Sequence, residues 1–228
     1  MSKDIPVIAI DGPSASGKGT VAERVAAALG FRYLDSGALY RLTTLQALRS
    51  GVPLDNPTAL AAAAREMKIA FRDGKLWLDG EDVTQAVRTE EVSSATSRVA
   101  ACAEVRAALL ERQQGFRQAP GLVADGRDMG SVVFPDATLK VFLTADVATR
   151  AERRHKQLME KGMYVKMPDV VEELQERDAR DSTRPVAPLK HYPDALFLDT
   201  THLAIDQAVE QVLAWYRSSA RGNRFFSP

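Results

Sequence analysis

An α/β chain built on a buried parallel sheet is what this sequence predicts, and three observations predict it. Short, continuous apolar runs alternate with helical patterns, a glycine-rich turn joins the first run to the first helix, and polar residues follow the carboxyl ends of several runs. Strands covered on both faces read as unbroken apolar segments, and sites in such sheets lie beyond the strands' carboxyl ends.

The first run, Ile5 to Ile10, leads through Asp11 into Gly12-Pro13-Ser14-Ala15-Ser16-Gly17-Lys18-Gly19-Thr20. Glycines let backbone N–H groups turn inward around phosphate oxygens, the following helix presents its positive end, and a central lysine can reach the β/γ-phosphates. An ordinary glycine-rich strand-to-helix turn would explain the glycines but not Lys18. The pattern departs from the usual one, in which Ser or Thr follows the lysine at once: here Gly19 comes first and Thr20 second. A helix beginning near Gly19 repeats Val21, Val25, Ala28 and Leu29 at helical spacing, and Gly30 is placed to end it.

The second run, Phe31 to Leu34, is followed by Asp35-Ser36. Between Gly51 and Arg88 the rhythm changes, because Phe71-Arg72-Asp73-Gly74-Lys75-Leu76-Trp77-Leu78 places an Asp-Gly turn between alternating apolar residues and predicts an inserted β-hairpin. It reads either as a decoration or as a flap over a substrate.

The third run, Leu122 to Ala124, ends in Asp125-Gly126-Arg127-Asp128. Arg127 could hold a phosphate through two parallel hydrogen bonds, Asp125 could act on Mg²⁺ or its waters, and Asp128 could accept from a base edge. An Asx turn with a salt bridge is the alternative. The fourth run is Leu139 to Leu143. Further on, Arg177, Asp181 and Arg184 recur at i, i+4 and i+7, so a helix there carries one polar stripe with Arg180 beside it. That stripe is either a solvated, salt-bridged face or, with Arg150, Arg153 and Arg154 upstream, a lid that brings positive charge to transferring phosphates and excludes water. Pro185 biases Arg184 out of the helix. The fifth run, Ala195 to Leu198, ends at Asp199, and a last helix buries Ile205, Val209, Val212, Leu213, Trp215 and Tyr216 as core.

Composition excludes several classes. The 228 residues are 45% hydrophobic and 26% charged, with 30 basic against 30 acidic side chains, so no global basic field exists for nucleic acid or an anionic membrane. No apolar stretch spans a bilayer or forms a signal-peptide core, which predicts a cytoplasmic protein. The lone Cys102 reads as a small buried hydrophobe, and His155, His191 and His202 lack metal-ligand spacing.

Four segments in this order, the Gly17-Lys18-Gly19-Thr20 variant of the loop, Asp35-Ser36-Gly37-Ala38-Leu39-Tyr40-Arg41, Asp125-Gly126-Arg127-Asp128-Met129-Gly130 and Arg177 to Arg184, resemble those of the bacterial cytidylate kinase family. The likeness runs over nearly the whole chain. It implies a P-loop kinase fold with a five-stranded parallel sheet flanked by helices. One kinase unit would cover 1–228, with an inserted nucleoside-monophosphate domain over about 37–105 that contains the hairpin, and a short lid over about 153–184. The implied reaction is ATP + CMP or dCMP → ADP + CDP or dCDP, by a cytoplasmic monomer that binds neither nucleic acid nor membrane.

The resemblance also implies roles. Gly12, Pro13, Ser14, Ala15, Ser16, Gly17, Lys18, Gly19 and Thr20 would hold the ATP phosphates, with Lys18 spanning donor and transferred groups. Arg41, Arg127 and Arg184 would grip the monophosphate, with Ser36 beside it and Arg177 near it. Tyr40 and Asp181 would approach the ribose, and Ser97, Arg106 and Asp128 would read cytosine. Mg²⁺ would arrive with the ATP phosphates, met by Thr20 or Asp125 by way of water. Lys18, Arg127, Arg177 and Arg184 would carry the catalysis, since phosphoryl transfer needs positioning and charge neutralisation and no dedicated general base.

One geometric conflict yields a further expectation. Ser97 and Arg106 are nine residues apart, and at about 100° per residue an unbroken helix would point them to opposite sides. A break is therefore expected around Ala101 to Glu104, although no proline or glycine marks it. Of the rival classes, a GTPase switch lacks its Asn-Lys-x-Asp base reader, and a non-catalytic nucleotide module would have no use for Arg41, Arg127 and Arg184. A kinase for UMP is the remaining alternative.

Overall fold

The computed structural model describes residues 4–72 and 74–222, and the chain divides into two compact units: residues 1–34 with 116–228, and residues 35–115. The first unit is built on five strands, β1 (Val7–Asp11), β2 (Arg32–Asp35), β6 (Leu122–Gly126), β7 (Leu139–Thr144) and β8 (Leu196–Asp199). They lie in the order β2-β6-β1-β7-β8. β1 runs parallel to both neighbours, with Val7 opposite Leu122 and Ile8 opposite Leu139, and β7 runs parallel to β8. Every residue of β1 and β6 is buried, as central parallel strands require.

Helices α1 (Lys18–Leu29), α6 (Val147–Glu160), α7 (Met167–Thr183) and α8 (Ile205–Gly222) complete this unit. Val21 and Val25 of α1, and Val212 and Leu213 of α8, join Ile8, Ile10, Val123, Val141, Leu143 and Leu198 in one core. Val212 and Leu213 of the expected core stripe are buried, Trp215 and Tyr216 pack on the core only partly buried, and Ile205 is exposed; Tyr216 meets the ring of Phe31 edge-on at 5.7 Å. Gly30 ends α1 in the left-handed conformation at φ 65°, and Asp146 caps α6 by accepting from the Thr149 N–H at 2.6 Å.

The second unit holds α2 (Ser36–Arg49), α3 (Pro57–Glu66), α4 (Glu90–Val99), α5 (Ala103–Gln114) and a small antiparallel sheet of β3 (Ile69–Arg72), β4 (Lys75–Leu78) and β5 (Glu81–Asp82). The expected hairpin is β3–β4, with Ile69 opposite Leu78; Gly74 turns at φ 71°, while Asp73 lies outside the described residues. Asp35, Asn56 and Thr89 cap α2, α3 and α4 with side-chain oxygens. The break between Ser97 and Arg106 is present. α4 ends at Val99, Cys102 adopts extended φ −71°, ψ 119°, and α5 starts at Ala103. Cys102 itself is only partly buried, its thiol 3.3 Å from Glu104 Oε2, so the sequence expectation of a core cysteine is wrong: the residue is used at a helix junction.

Candidate active site

The loop between β1 and α1 curls into a concavity. Ala15 and Gly17 both sit in the left-handed region, at φ 58° and 90°, which turns successive amides toward one concavity. Gly17 places no side-chain cap on α1 and no acidic residue stands in its first turn, a helix start whose polarity suits an anion. Lys18 is buried with its ammonium donating to the Pro13 carbonyl at 3.2 Å, and the buried Ser16 hydroxyl has no hydrogen-bond partner. Gly12 is required for a different reason: a Cβ there would lie 1.9 Å from the Leu143 carbonyl oxygen of β7.

Two arginines of α6 hold the loop from behind. Arg150, 4% exposed, donates to the carbonyls of Ala145 and Ser14 and pairs with Asp178 of α7 at 2.6 Å. Arg153 donates to the Ser16 carbonyl at 3.1 Å and to Thr200 through both its hydroxyl and its carbonyl. The sequence did not show that donors of these two arginines go to oxygens of the protein itself. A helical arginine's target depends on tertiary neighbours, which its spacing does not reveal.

The turn after β6 brings the expected arginine and aspartates together with the loop. Arg127 Nε donates to Asp181 Oδ2 at 2.7 Å, one terminal nitrogen donates to the Ser14 hydroxyl at 2.8 Å, and the other reaches the Gly126 carbonyl at 3.2 Å. Arg184 caps the end of α7, donates from Nε to the Ala187 carbonyl at 2.7 Å, and lies 3.9 Å from Asp128 Oδ1. Asp128, Asp181 and Arg184 are buried and Arg177 is half-buried, so the stripe is turned inward; only Arg180, paired with Glu176 at 3.3 Å, keeps the solvated-face character. Burial raises the Asp181 carboxyl, but the Arg127 charge and hydrogen bond, with Arg177 and Arg184, outweigh it and hold the group below the ordinary carboxylate range.

Asp125 accepts from the Tyr33 hydroxyl at 2.7 Å, a partner the sequence did not suggest, although Tyr33 belongs to the predicted second strand. A side chain at Gly19 would come within 3.5 Å of that hydroxyl and 3.9 Å of Asp125 Oδ2. Asp11 is not on the rim as expected. It is buried and takes the N–H groups of Met129 and Gly130, each at 2.8 Å, and burial pushes its carboxyl up to about 7 against those two hydrogen bonds, with the Asp128 charge adding to the rise. Asp199 stays exposed and accepts from Thr201.

Within the second unit, Ser36, Tyr40, Ser97 and Arg106 are buried, and the Arg106 guanidinium stands 5.7 Å from the centre of the Tyr40 ring. Arg106 also donates to the Ala100 carbonyl at 3.1 Å, across the α4–α5 break. Arg41 pairs with Asp35 at 2.5 Å, one turn into α2. Thr20 is exposed. Among the described residues no three His, Cys, Asp or Glu side chains gather as a metal cage, and no helix is long and apolar enough to cross a membrane.

Residues 8–218 match the protein family described as Cytidylate kinase. The chain is 59% identical over 212 residues to a cytidylate kinase of Chromobacterium violaceum, covering 93% of this chain and 96% of that protein. It is 60% identical over 212 residues to one of Burkholderia pseudomallei, covering 93% of each. Among solved structures, a gluconokinase from Sinorhizobium meliloti is similar over 98% of both chains with a TM-score of 0.51 at 18% identity, a likeness of fold.

Proposed function

The chain belongs to the cytidylate kinase family, and on that premise we propose that it transfers the γ-phosphoryl group of ATP to CMP or dCMP, giving ADP and CDP or dCDP. The observation that carries the site assignment is the inward cluster of Arg127, Asp181 and Arg184, tied to the phosphate loop at Ser14. Guanidinium groups turned inward beside a loop of inward-facing amides suit the spreading charge of a transferring phosphoryl group.

On this reading residues 12–20 hold the donor phosphates and Lys18 leaves the Pro13 carbonyl to span donor and transferred oxygens. Arg127, Arg184 and Arg41 grip the acceptor phosphate, with Ser36 and Arg177 close to it, and Asp181 and Tyr40 take the ribose. Asp128, Ser97 and Arg106 recognise cytosine. The unit over residues 35–115 serves as the monophosphate-binding domain, and α6–α7 as the lid region. Phosphoryl transfer then depends on alignment and on charge that is already in place, with water excluded.

Mg²⁺ fits this donor set as an ion carried chiefly by substrate phosphates. Asp125 is buried at the carboxyl end of β6, where it accepts from Tyr33 and stands beside Gly19 of the loop. One carboxylate, with Thr20 by way of water, suits an ion that keeps several of its own waters. When bound, it would neutralise phosphate charge. We further propose a cytoplasmic monomer.

Release of ADP, measured by a coupled assay over a panel of nucleoside monophosphates, tests the proposal. CMP and dCMP should be the preferred acceptors. A kcat/KM for UMP equal to that for CMP would favour the uridylate alternative and overturn the assignment of Asp128 to the cytosine amino group, because uracil offers an acceptor where cytosine offers a donor.

A further inference from the structure

Asp11 is 3% exposed and stands one residue before the phosphate loop, paired across the sheet with Gly126. Its Oδ1 accepts from Met129 N–H and its Oδ2 from Gly130 N–H, both at 2.8 Å. Those two amides open a single turn of π-helix, Met129–Val133, whose preceding residue is Asp128 at φ −151°, ψ 23°. The carbonyl of Asp128 is in turn held by Val132 and Val133 N–H, and Gly12 N–H reaches the Gly126 carbonyl at 3.3 Å. The backbone of Arg127 and Asp128 is thus pinned on both sides, and the Asp11 side chain ties both leading amides of that turn to β1.

A carboxylate is the group this geometry requires. It offers two acceptor oxygens at once, whereas an asparagine would set its NH₂ against one of the amides. Placing a carboxyl in a buried site beside Asp128 is costly, and here both of its oxygens are spent on the backbone that carries Asp128. We propose that Asp11 is a positioning residue, whose carboxylate fixes the Met129–Gly130 turn against the start of the phosphate loop and so sets where Asp128 and Arg127 stand toward the acceptor nucleotide. The inference rests on the reading that those two residues hold CMP. Asp11 itself touches no substrate; it acts through the backbone it grips.

Steady-state kinetics of the full-length Asp11→Asn enzyme, with melting temperature recorded, test this. The expected result is a rise in KM for CMP of roughly tenfold, as for loss of one charge-assisted hydrogen bond. KM for ATP should stay within about twofold, and the preference for CMP over UMP should shrink. An effect on stability alone, with KM for CMP and the CMP-to-UMP preference unchanged, would overturn the proposal, as would a loss confined to ATP. A second variant replaces Gly130 by glycolic acid, so that the peptide becomes an ester and one N–H disappears while Asp11 remains; it should move KM for CMP and the preference in the same direction, and it decides the matter if Asp11→Asn does not fold. Asp128→Ala is measured in parallel. If Asp128→Ala leaves KM for CMP unchanged, the reading of the site fails; if Asp128→Ala raises it and the ester does not, the positioning role alone fails.

Discussion

Arg127 and Asp181, 54 residues apart in the chain, meet through a 2.7 Å hydrogen bond from Nε to Oδ2. The guanidinium that follows β6 is therefore aimed by α7, and its remaining edge is delivered to Ser14 of the phosphate loop. Three segments that the sequence presents separately form one charged unit, and its members are expected to fail together when one is removed.

Lys18→Met should leave the fold intact and lower kcat by about a hundredfold or more, the scale of losing a charged stabiliser of the transition state. The lysine ammonium donates to the Pro13 carbonyl at 3.2 Å, a bond that methionine loses without leaving a buried donor. Single-turnover kinetics with circular dichroism check this, and near-normal turnover would remove Lys18 from the catalytic set.

Arg184→Ala should cost about 1–3 kcal/mol of stability, because it strips a buried hydrogen bond to the Ala187 carbonyl. The loss in kcat/KM should be larger, on the order of a thousandfold, as for other arginines on a transferring phosphoryl group. Urea denaturation and steady-state kinetics on the same preparation separate the two. A stability loss with unchanged kcat/KM would reduce Arg184 to a helix cap.

Gly12→Ala should be among the most damaging single substitutions in the chain. The new methyl would sit 1.9 Å from the Leu143 carbonyl oxygen, and neither strand can yield without disturbing the central sheet. A loss of about 3–5 kcal/mol in a chemical melt is expected. Loss of less than about 1 kcal/mol would mean that β1 and β7 separate more readily than their buried register suggests.

Asp11 should leave a signature in the pH dependence of stability. Its carboxyl is raised from an ordinary 3.8 to about 7, chiefly by burial and then by Asp128, against the Met129 and Gly130 hydrogen bonds and the Arg127 charge. The folded protein therefore binds this proton more tightly than the unfolded chain. Below pH 3.8 the group carries no penalty; stability declines as pH rises from there to about 7, by up to about 4 kcal/mol, and is level beyond. The difference in unfolding free energy between the native protein and Asp11→Asn, followed from pH 5 to 8, should show that slope, and a flat difference would mean that Asp11 is ionised throughout.

Much of this fold was legible because its central elements obey local rules. β1, the phosphate loop and α1 follow from an apolar run, spaced glycines and a helical repeat, and the observed strand ends differ from the apolar runs by only one or two residues. The α4–α5 break was legible without a breaker residue, since Ser97 and Arg106 could not share a face otherwise. What Arg150 and Arg153 do was not legible, because their acceptors are backbone carbonyls of Ser14 and Ser16 more than 130 residues away. Nor did Asp11 announce itself. An aspartate after a strand reads as a rim residue, and only the π-turn at Met129, which has no sequence signature of its own, turns it inward.

The order of the central strands also governs when the phosphate loop can form during synthesis. β1 has its two partners in β6 and β7, so Val7 waits for Leu122 and Ile8 for Leu139. Residues 35–115, which form a compact unit of their own, leave the ribosome before either partner strand exists. The loop that is made first is thus closed late, after a long-range pairing that is slow to nucleate. A nascent chain halted before β7 has emerged should hold a folded insert and no working grip on a triphosphate.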